Sequence, residues 1–441
     1  MGCLLATTIA TLAACGGGSD SSSGAGGSST TSGTTSSSGT TSSSGTTSSS
    51  GTGGGGPEPV TPGTHFEATA ASWSLPAGSP GGNGYYTFFN NLWSTVDLDG
   101  DGKPDLVLTD GATEQNRKWK VYLNTGDGFS PSAKDWSLPA GSPGGNGYYT
   151  FFNNLWSTVD IDGDKKPDLV LTDGATEQNR KWKVYLNTGD GFSPSAKDWS
   201  LPAGSPGGNG YYTFFNNLWS TVDLDGDEKP DLVLTDGATE QNRKWKVYTN
   251  TGSGFAGSAK DWSLPSGSPS GNGYYTFFNN LWSTADIDGD KKPDLVLTDG
   301  ATEQNRKWKV YTNTGSGFAG SAKDWSLPAG SPAGNGYYTF FNNLWSTADL
   351  DGDGKPDLVL TDGATEKNRS WKIYGNTGSG FAGSAKDWSL PSGSPGGNGY
   401  YTFFNNLWST VDLDGDGRPD LVVTDGATEK NRTWKLYRNV P

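Results

Sequence analysis

Asp97-Leu98-Asp99-Gly100-Asp101-Gly102-Lys103-Pro104-Asp105 is the first of six copies of one acidic nine-residue stretch, and the others begin at 63-residue steps at Asp160, Asp223, Asp286, Asp349 and Asp412. A fixed long period marks a repeat architecture. Acidic side chains at alternate positions are how a short loop wraps a hard cation. The side chains at positions one, three, five and nine, with the carbonyl of residue seven, can converge if the chain turns sharply. Gly100 permits that turn because a glycine reaches positive φ at little cost.

The expected ligand sets follow copy by copy. The first is Asp97, Asp99, Asp101, Lys103 (through its carbonyl) and Asp105; the second is Asp160, Asp162, Asp164, Lys166 and Asp168. The third is Asp223, Asp225, Asp227, Lys229 and Asp231, and the fourth is Asp286, Asp288, Asp290, Lys292 and Asp294. The fifth is Asp349, Asp351, Asp353, Lys355 and Asp357, and the sixth is Asp412, Asp414, Asp416, Arg418 and Asp420. Calcium accepts six to eight oxygens in a flexible shell, whereas magnesium demands a tighter octahedron, so up to six Ca²⁺ are expected.

The competing reading is six polar turns, since Asp and Gly are common turn formers. Two carboxylates about 5 Å apart repel by roughly 1 kcal/mol in water and by ~3 kcal/mol at an effective dielectric of 20. Four to a loop should splay without a counter-ion. An EF-hand is excluded, because its twelfth position requires a bidentate Glu and here holds Leu108. Position six is Gly102, Gly354 and Gly417 in three copies but Lys165, Glu228 and Lys291 in the others. If it needs a left-handed backbone, the middle three loops are strained, and the first, fifth and sixth are the strongest sites.

Strand-like runs flank each loop. In the first unit Leu92–Leu98 leads in, Asp105–Asp110 leads out, Lys118–Asn124 follows a turn at Asp110-Gly111, and Ala133–Leu138 is a fourth run. The third run alternates, with Trp119, Val121 and Leu123 on one face and Lys118, Lys120 and Tyr122 on the other. Six units of four short antiparallel strands predict an all-β fold, a six-bladed β-propeller over residues 64–441, with a seven-bladed ring or an open array as alternatives. Phe66 and Trp73 lie one period before Phe129 and Trp136, and the sixth unit stops short of that Phe…Trp segment. The N-terminal strand is therefore expected to complete the last blade.

Residues 1–14 read as a lipoprotein-type signal peptide. Leu12-Ala13-Ala14-Cys15 resembles a lipobox, which would make Cys15 the lipidated N-terminus. No Lys or Arg precedes the apolar run, so the usual positive leader is expected upstream of Met1. Residues 15–63 form a tether rich in Gly, Ser and Thr that cannot bury enough surface to order itself. For the roughly 41 residues from Gly16 to Gly56, at about 5–6 Å × √n, the mean span is ~35 Å. Cys3 and Cys15 are the only cysteines, so the folded part has no disulfides and must draw stability from size or metal.

The net charge is −15, and 24 of the 47 acidic residues are the loop aspartates. Six divalent cations would bring the total to about −3, so the acidity belongs to the loops. It argues against nucleic acid or an anionic membrane surface as partner.

The run Ser94-Thr95-Val96-Asp97 through Leu108, with Trp119-Lys120-Val121-Tyr122 behind it, resembles the FG-GAP repeat of integrin α-subunit propellers and bacterial VCBS-type proteins. The resemblance covers all six units, about residues 66 to 441. It implies that the loop joins the first two strands of a blade and binds Ca²⁺. The chain departs from that family in its variable sixth position, in having six units rather than the seven of integrins, and in lacking a clear Phe-Gly or Gly-Ala-Pro tripeptide.

A second repeated segment, Gly82-Asn83-Gly84-Tyr85-Tyr86-Thr87-Phe88-Phe89-Asn90-Asn91-Leu92-Trp93, places aromatics beside Asn and Gly as a carbohydrate-binding surface does. Phe88, Phe89 and Trp93 are expected in the core. The tyrosine pairs Tyr85 and Tyr86, Tyr148 and Tyr149, Tyr211 and Tyr212, Tyr274 and Tyr275, Tyr337 and Tyr338, and Tyr400 and Tyr401 are the candidate ligand contacts. Asp110 and Glu114 could be imagined as a hydrolytic carboxylate pair, but a turn with an ion pair to Arg117 explains them as well. His65, the one histidine, has no triad partner and reads as a linker residue.

The expected function is a calcium-binding propeller, tethered to a bacterial cell envelope or secreted, acting as a monomeric ring in multivalent binding or adhesion to glycan or cell-surface protein. The alternatives are a purely structural scaffold and a polysaccharide-degrading enzyme, for which no convincing catalytic constellation is present.

Overall fold

The computed structural model describes residues 61–77, 93–108, 116–140, 156–171, 179–203, 219–234, 242–266, 282–297, 305–329, 345–360, 369–392, 408–423 and 431–441. The signal peptide with Cys15, the tether up to residue 60, the tyrosine pairs, Phe88, Phe89, Asp110 and Glu114 lie outside them, as does the side chain of Trp93.

Two short strands come first, β1 (His65–Phe66) and β2 (Ala71–Ser74). Blade one follows as β3 (Trp93–Val96), β4 (Asp105–Leu108), β5 (Lys118–Tyr122) and β6 (Lys134–Ser137), paired antiparallel in chain order. Four more blades repeat that order. The sixth contributes only three strands of its own, Trp408–Val411, Asp420–Val423 and Thr433–Tyr437, and β2 is its fourth.

The register shows how closely β2 replaces the missing strand. Trp73 stands opposite Trp434, as Trp136 stands opposite Trp119 in blade one. β1 pairs with Asn439–Val440, His65 facing Val440 and Phe66 facing Asn439. His65 is thus a strand residue rather than a linker residue. Thr61 and Gly63, read as the end of the tether, join the same junction: Arg418 Nη1 donates to Thr61 O at 3.0 Å and Gly63 N to Asp351 O at 2.8 Å.

The alternation read in the third run holds within the strand, with Trp119 and Val121 buried and Lys118, Lys120 and Tyr122 half-buried, while Leu123, expected on the buried face, is half-buried just past the strand end. The core lies between blades. Leu98, Val107, Trp119, Val121 and Trp136 of blade one pack with Leu169 and Phe192 of blade two. Each such Phe meets a Trp pair edge-on, as Phe192 does with Trp119 at 5.6 Å and with Trp136 at 6.4 Å. This offset geometry suits the ring quadrupoles.

The same packing joins the last blade to the first, since Leu106 and Phe129 cluster with Trp73, Leu413, Val422, Trp434 and Leu436. Phe66 sits at 5.8 Å from Trp371 and 5.9 Å from Trp388, clamping blade five. The protein is a closed six-bladed β-propeller of four-stranded antiparallel blades.

Candidate metal centre

The acidic loops join the first and second strands of each blade, where Val96 and Asp105 stand opposite one another. In the first loop Asp97 shapes the turn. Its Oδ1 accepts from Gly100 N at 2.8 Å and Asp101 N at 3.1 Å, and its Oδ2 accepts from Gly102 N at 2.8 Å. Asp99 Oδ1 accepts from Asp101 N at 3.2 Å, and Asp101 Oδ1 from Lys103 N at 2.9 Å. The loop backbone is thus wrapped around its own carboxylates, which draws the side chains at positions one, three and five together. In each of five copies, including Asp97, Asp99 and Asp101, carboxylate oxygens from the three lie within 4.8 Å of one another.

The ninth residue is placed underneath. Asp105 is fully buried and accepts from Leu98 N at 3.1 Å through Oδ2 and from Asn124 N at 2.8 Å through Oδ1, so it ties the loop to the first and third strands. Burial is the main cause that pushes Asp105, Asp168, Asp231 and Asp294 up to about 7, and Asp357 and Asp420 to about 8. Asp97 and Asp99 are raised too, by burial first and by the neighbouring carboxylates.

A cation fits this donor set. Asp162 Oδ1, Asp225 Oδ1, Asp288 Oδ1, Asp294 Oδ2 and Asp357 Oδ2 are buried carboxylate oxygens with no hydrogen-bond partner. An unpaired buried carboxylate oxygen costs several kcal/mol, so such atoms ask for a positive ligand. A divalent ion there would neutralise the crowded carboxylates and lock the hairpin; the chain's contribution is to hold hard oxygens close together in advance.

Position six is left-handed in every copy. φ is +88°, +85° and +88° at Gly102, Gly354 and Gly417, and +72°, +68° and +69° at Lys165, Glu228 and Lys291. A side chain in that region costs roughly 1–2 kcal/mol, part of which glycine gives back in chain entropy. Each of Lys165→Gly, Glu228→Gly and Lys291→Gly should therefore raise stability by about 0.5–1 kcal/mol. Urea melts at fixed calcium check this, and a loss of stability would contradict it.

Three features escaped the sequence. Asn124 Nδ2 donates to Pro104 O of its own loop at 2.9 Å and to Leu413 O of blade six at 2.8 Å, so one amide stitches two blades. Asn187, Asn250, Asn313, Asn376 and Asn439 repeat the bond to the preceding blade, to Leu98, Ile161, Leu224, Ile287 and Leu350. The signal available was an Asn-Thr-Gly or Asn-Val at a constant offset from each ninth aspartate.

Second, the seventh residue acts through its side chain. Lys103 Nζ pairs with Asp101 Oδ2 at 3.1 Å, and its stem crosses the neighbouring loop so closely that a Cβ on Gly415 would meet Lys103 Cγ at 2.5 Å. Lys166 lies over Gly100 in the same way. Third, Arg438 bonds to Asp414.

Arg117 is described and half-buried, but the acids assigned to it lie outside the described residues.

Among solved structures, the Tc holotoxin pore of Photorhabdus luminescens is similar at a TM-score of 0.53 and 20% identity, over 85% of this chain and 15% of that one. The chain thus spans a small part of that protein's length, and the likeness is one of fold. A lectin of Agrocybe aegerita that recognises non-reducing terminal N-acetylglucosamine is similar at a TM-score of 0.40 and 18% identity, over 79% of this chain and 80% of that one. No curated protein matches the sequence. The FG-GAP-like repeat matches residues 97–152, 223–297, 286–360 and 349–423, together more than half of the chain, and each match begins at the first aspartate of an acidic loop. The protein belongs to the FG-GAP-like repeat family.

Proposed function

We propose that this protein is a calcium-binding propeller, anchored through Cys15 to a bacterial cell envelope, that acts as a multivalent binding or adhesion module for a glycan or cell-surface protein. The polarity of the ring carries the reading. The acidic loops and the turns around Asn124–Phe129 share one face, because the first strand of a blade runs toward it and the third ends there. Thr61 and Gly63 are bound on that face by Arg418 and Asp351, so the tether leaves from the loop side.

Leu108, Lys118 and Ser137 mark the strand ends at the opposite face, from which the tyrosine-bearing connections depart. The six near-identical tyrosine-bearing segments thus connect to the ring on the side away from the bound end of the tether. Six weak sites on one rigid ring gain avidity through effective concentration, by roughly 10²–10⁴.

A glycan array followed by calorimetry on the Cys15→Ser chain tests the proposal, with calcium and after EDTA. Calcium-dependent binding is expected, weakening stepwise as Tyr85 and Tyr86 and their equivalents are changed to Ala in successive units. Failure to bind any glycan or surface protein would overturn it, as would an affinity indifferent to the number of intact units.

A further inference from the structure

The sixth loop differs from the others in what stands against the aspartate at its third position, Asp414. Arg438 donates from Nε to Asp414 Oδ2 at 2.7 Å and from Nη2 to Asp127 Oδ1 at 3.2 Å, tying loop six to blade one. At 63-residue steps back the same place holds Gly375, Thr312, Thr249, Leu186 and Leu123, none of them charged. In blade one the cation that acts most on the equivalent aspartate, Asp99, is Lys134 of β6, whose Nζ bonds instead to Gly189 O at 3.3 Å and to Asp190. Blade six has Ala71 at that strand position. Asp414 Oδ1 remains buried without a partner, so the carboxylate still offers one oxygen to the loop.

We propose that Arg438 makes loop six the weakest calcium site of the ring, by fixing a positive charge on one of its ligands. The proposal rests on the calcium reading above and reverses the expectation that Gly417 alone would make the loop a strong site. A guanidinium stays charged at every relevant pH. A divalent ion about 6 Å from it is repelled enough, even at the dielectric of water, to lower affinity about tenfold. The junction that closes the ring has its own cross-links in place of the ion. Arg418 donates to Thr61 O, to Asn439 O at 3.0 Å and to Asp416, while Arg438 holds Asp414.

Equilibrium dialysis of the full chain against radioactive calcium tests this. Five ions are expected, with a sixth filling at about tenfold or more higher calcium. Asp412→Asn should abolish that last step alone. Arg438→Leu, which installs the residue found at positions 123 and 186, should bring the sixth ion into line with the rest.

Six equivalent sites in the unaltered chain would overturn the assignment to Arg438, as would loss of a tight ion in Asp412→Asn. So would a folded Arg438→Leu chain that keeps the weak step; should that variant not fold, Asp412→Asn decides. A chain that binds no calcium would instead defeat the calcium reading itself, and this inference with it.

Discussion

Trp73→Ala is expected to cost about 3–5 kcal/mol in a urea melt, as truncation of a fully buried aromatic does. Trp73 is completely buried, stands opposite Trp434 and meets Phe129 of blade one edge-on at 5.9 Å. Its loss opens a cavity where the first strands of the ring meet the last blade. The comparison is Trp136→Ala, which removes the equivalent side chain from β6, a strand covalently continuous with its own blade. Both should lose similar stability, but they should differ in how the damage spreads.

β2 is held to blade six only by pairing and packing, so its release leaves Thr433–Tyr437 as an unpaired edge. Exposed edges recruit other chains. The Trp73 variant should therefore show fast hydrogen exchange in β1 and β2 and concentration-dependent association, while Trp136→Ala stays monomeric. A loss below about 1 kcal/mol, or slow exchange in β1 and β2, would show that the ring does not depend on this strand.

Removal of calcium should lower the melting temperature, and the size of the drop should depend on pH in a defined direction. The ninth aspartates have folded values of about 7 to 8, above the 3.8 of an unperturbed side chain. Between those limits the metal-free folded state binds more protons than the unfolded chain. Its stability is greatest below the unfolded value and is lost as pH rises through 7 to 8. The EDTA-treated protein should melt higher at pH 5 than at pH 8.

With calcium the trend reverses, because protons compete with the ion for the same carboxylates. For dissociation constants of 10⁻⁴–10⁻³ M, as in extracellular modules, about 10 mM calcium stabilises by roughly 1.4–2.7 kcal/mol per occupied site. Calorimetric melts at pH 5, 6, 7 and 8 should therefore diverge between calcium and EDTA at pH 8 and converge toward pH 5. Identical melting with and without EDTA at pH 8 would contradict a stabilising role for the ion.

Much of the candidate site is local, and was therefore legible. The aspartates at positions one, three and five meet because they lie within five residues of one another, and Gly100 and the sixth residue take the left-handed turns that the spacing required. Strand ends fell within two residues of expectation in blade one, since each strand is bounded by a loop or turn of marked composition. The closing strand was legible for a different reason. A 63-residue period makes Phe66 and Trp73 equivalent to Phe129 and Trp136, and equivalent residues have equivalent partners.

The contacts that link blades were not legible in the same way. Asn124 and Leu413 are 289 positions apart, and their bond exists only because the sixth blade returns to the first. Besides the carbonyl expected of it, Lys103 has a stem that crosses a neighbouring loop, a contact between units that spacing within one unit does not show.

The repeat, the clustering of the aspartates at positions one, three and five, the turn conformation and the closing strand were determined by the sequence alone, because each depends on short-range spacing or on identity between units. Tertiary structure alone decided the burial of the ninth aspartate, the amide stitch between blades, the face from which the tether departs and the pairing of Arg438 with Asp414. Those depend on how one blade leans on the next, and a carboxylate's charge state or affinity for a cation is set by that enclosure.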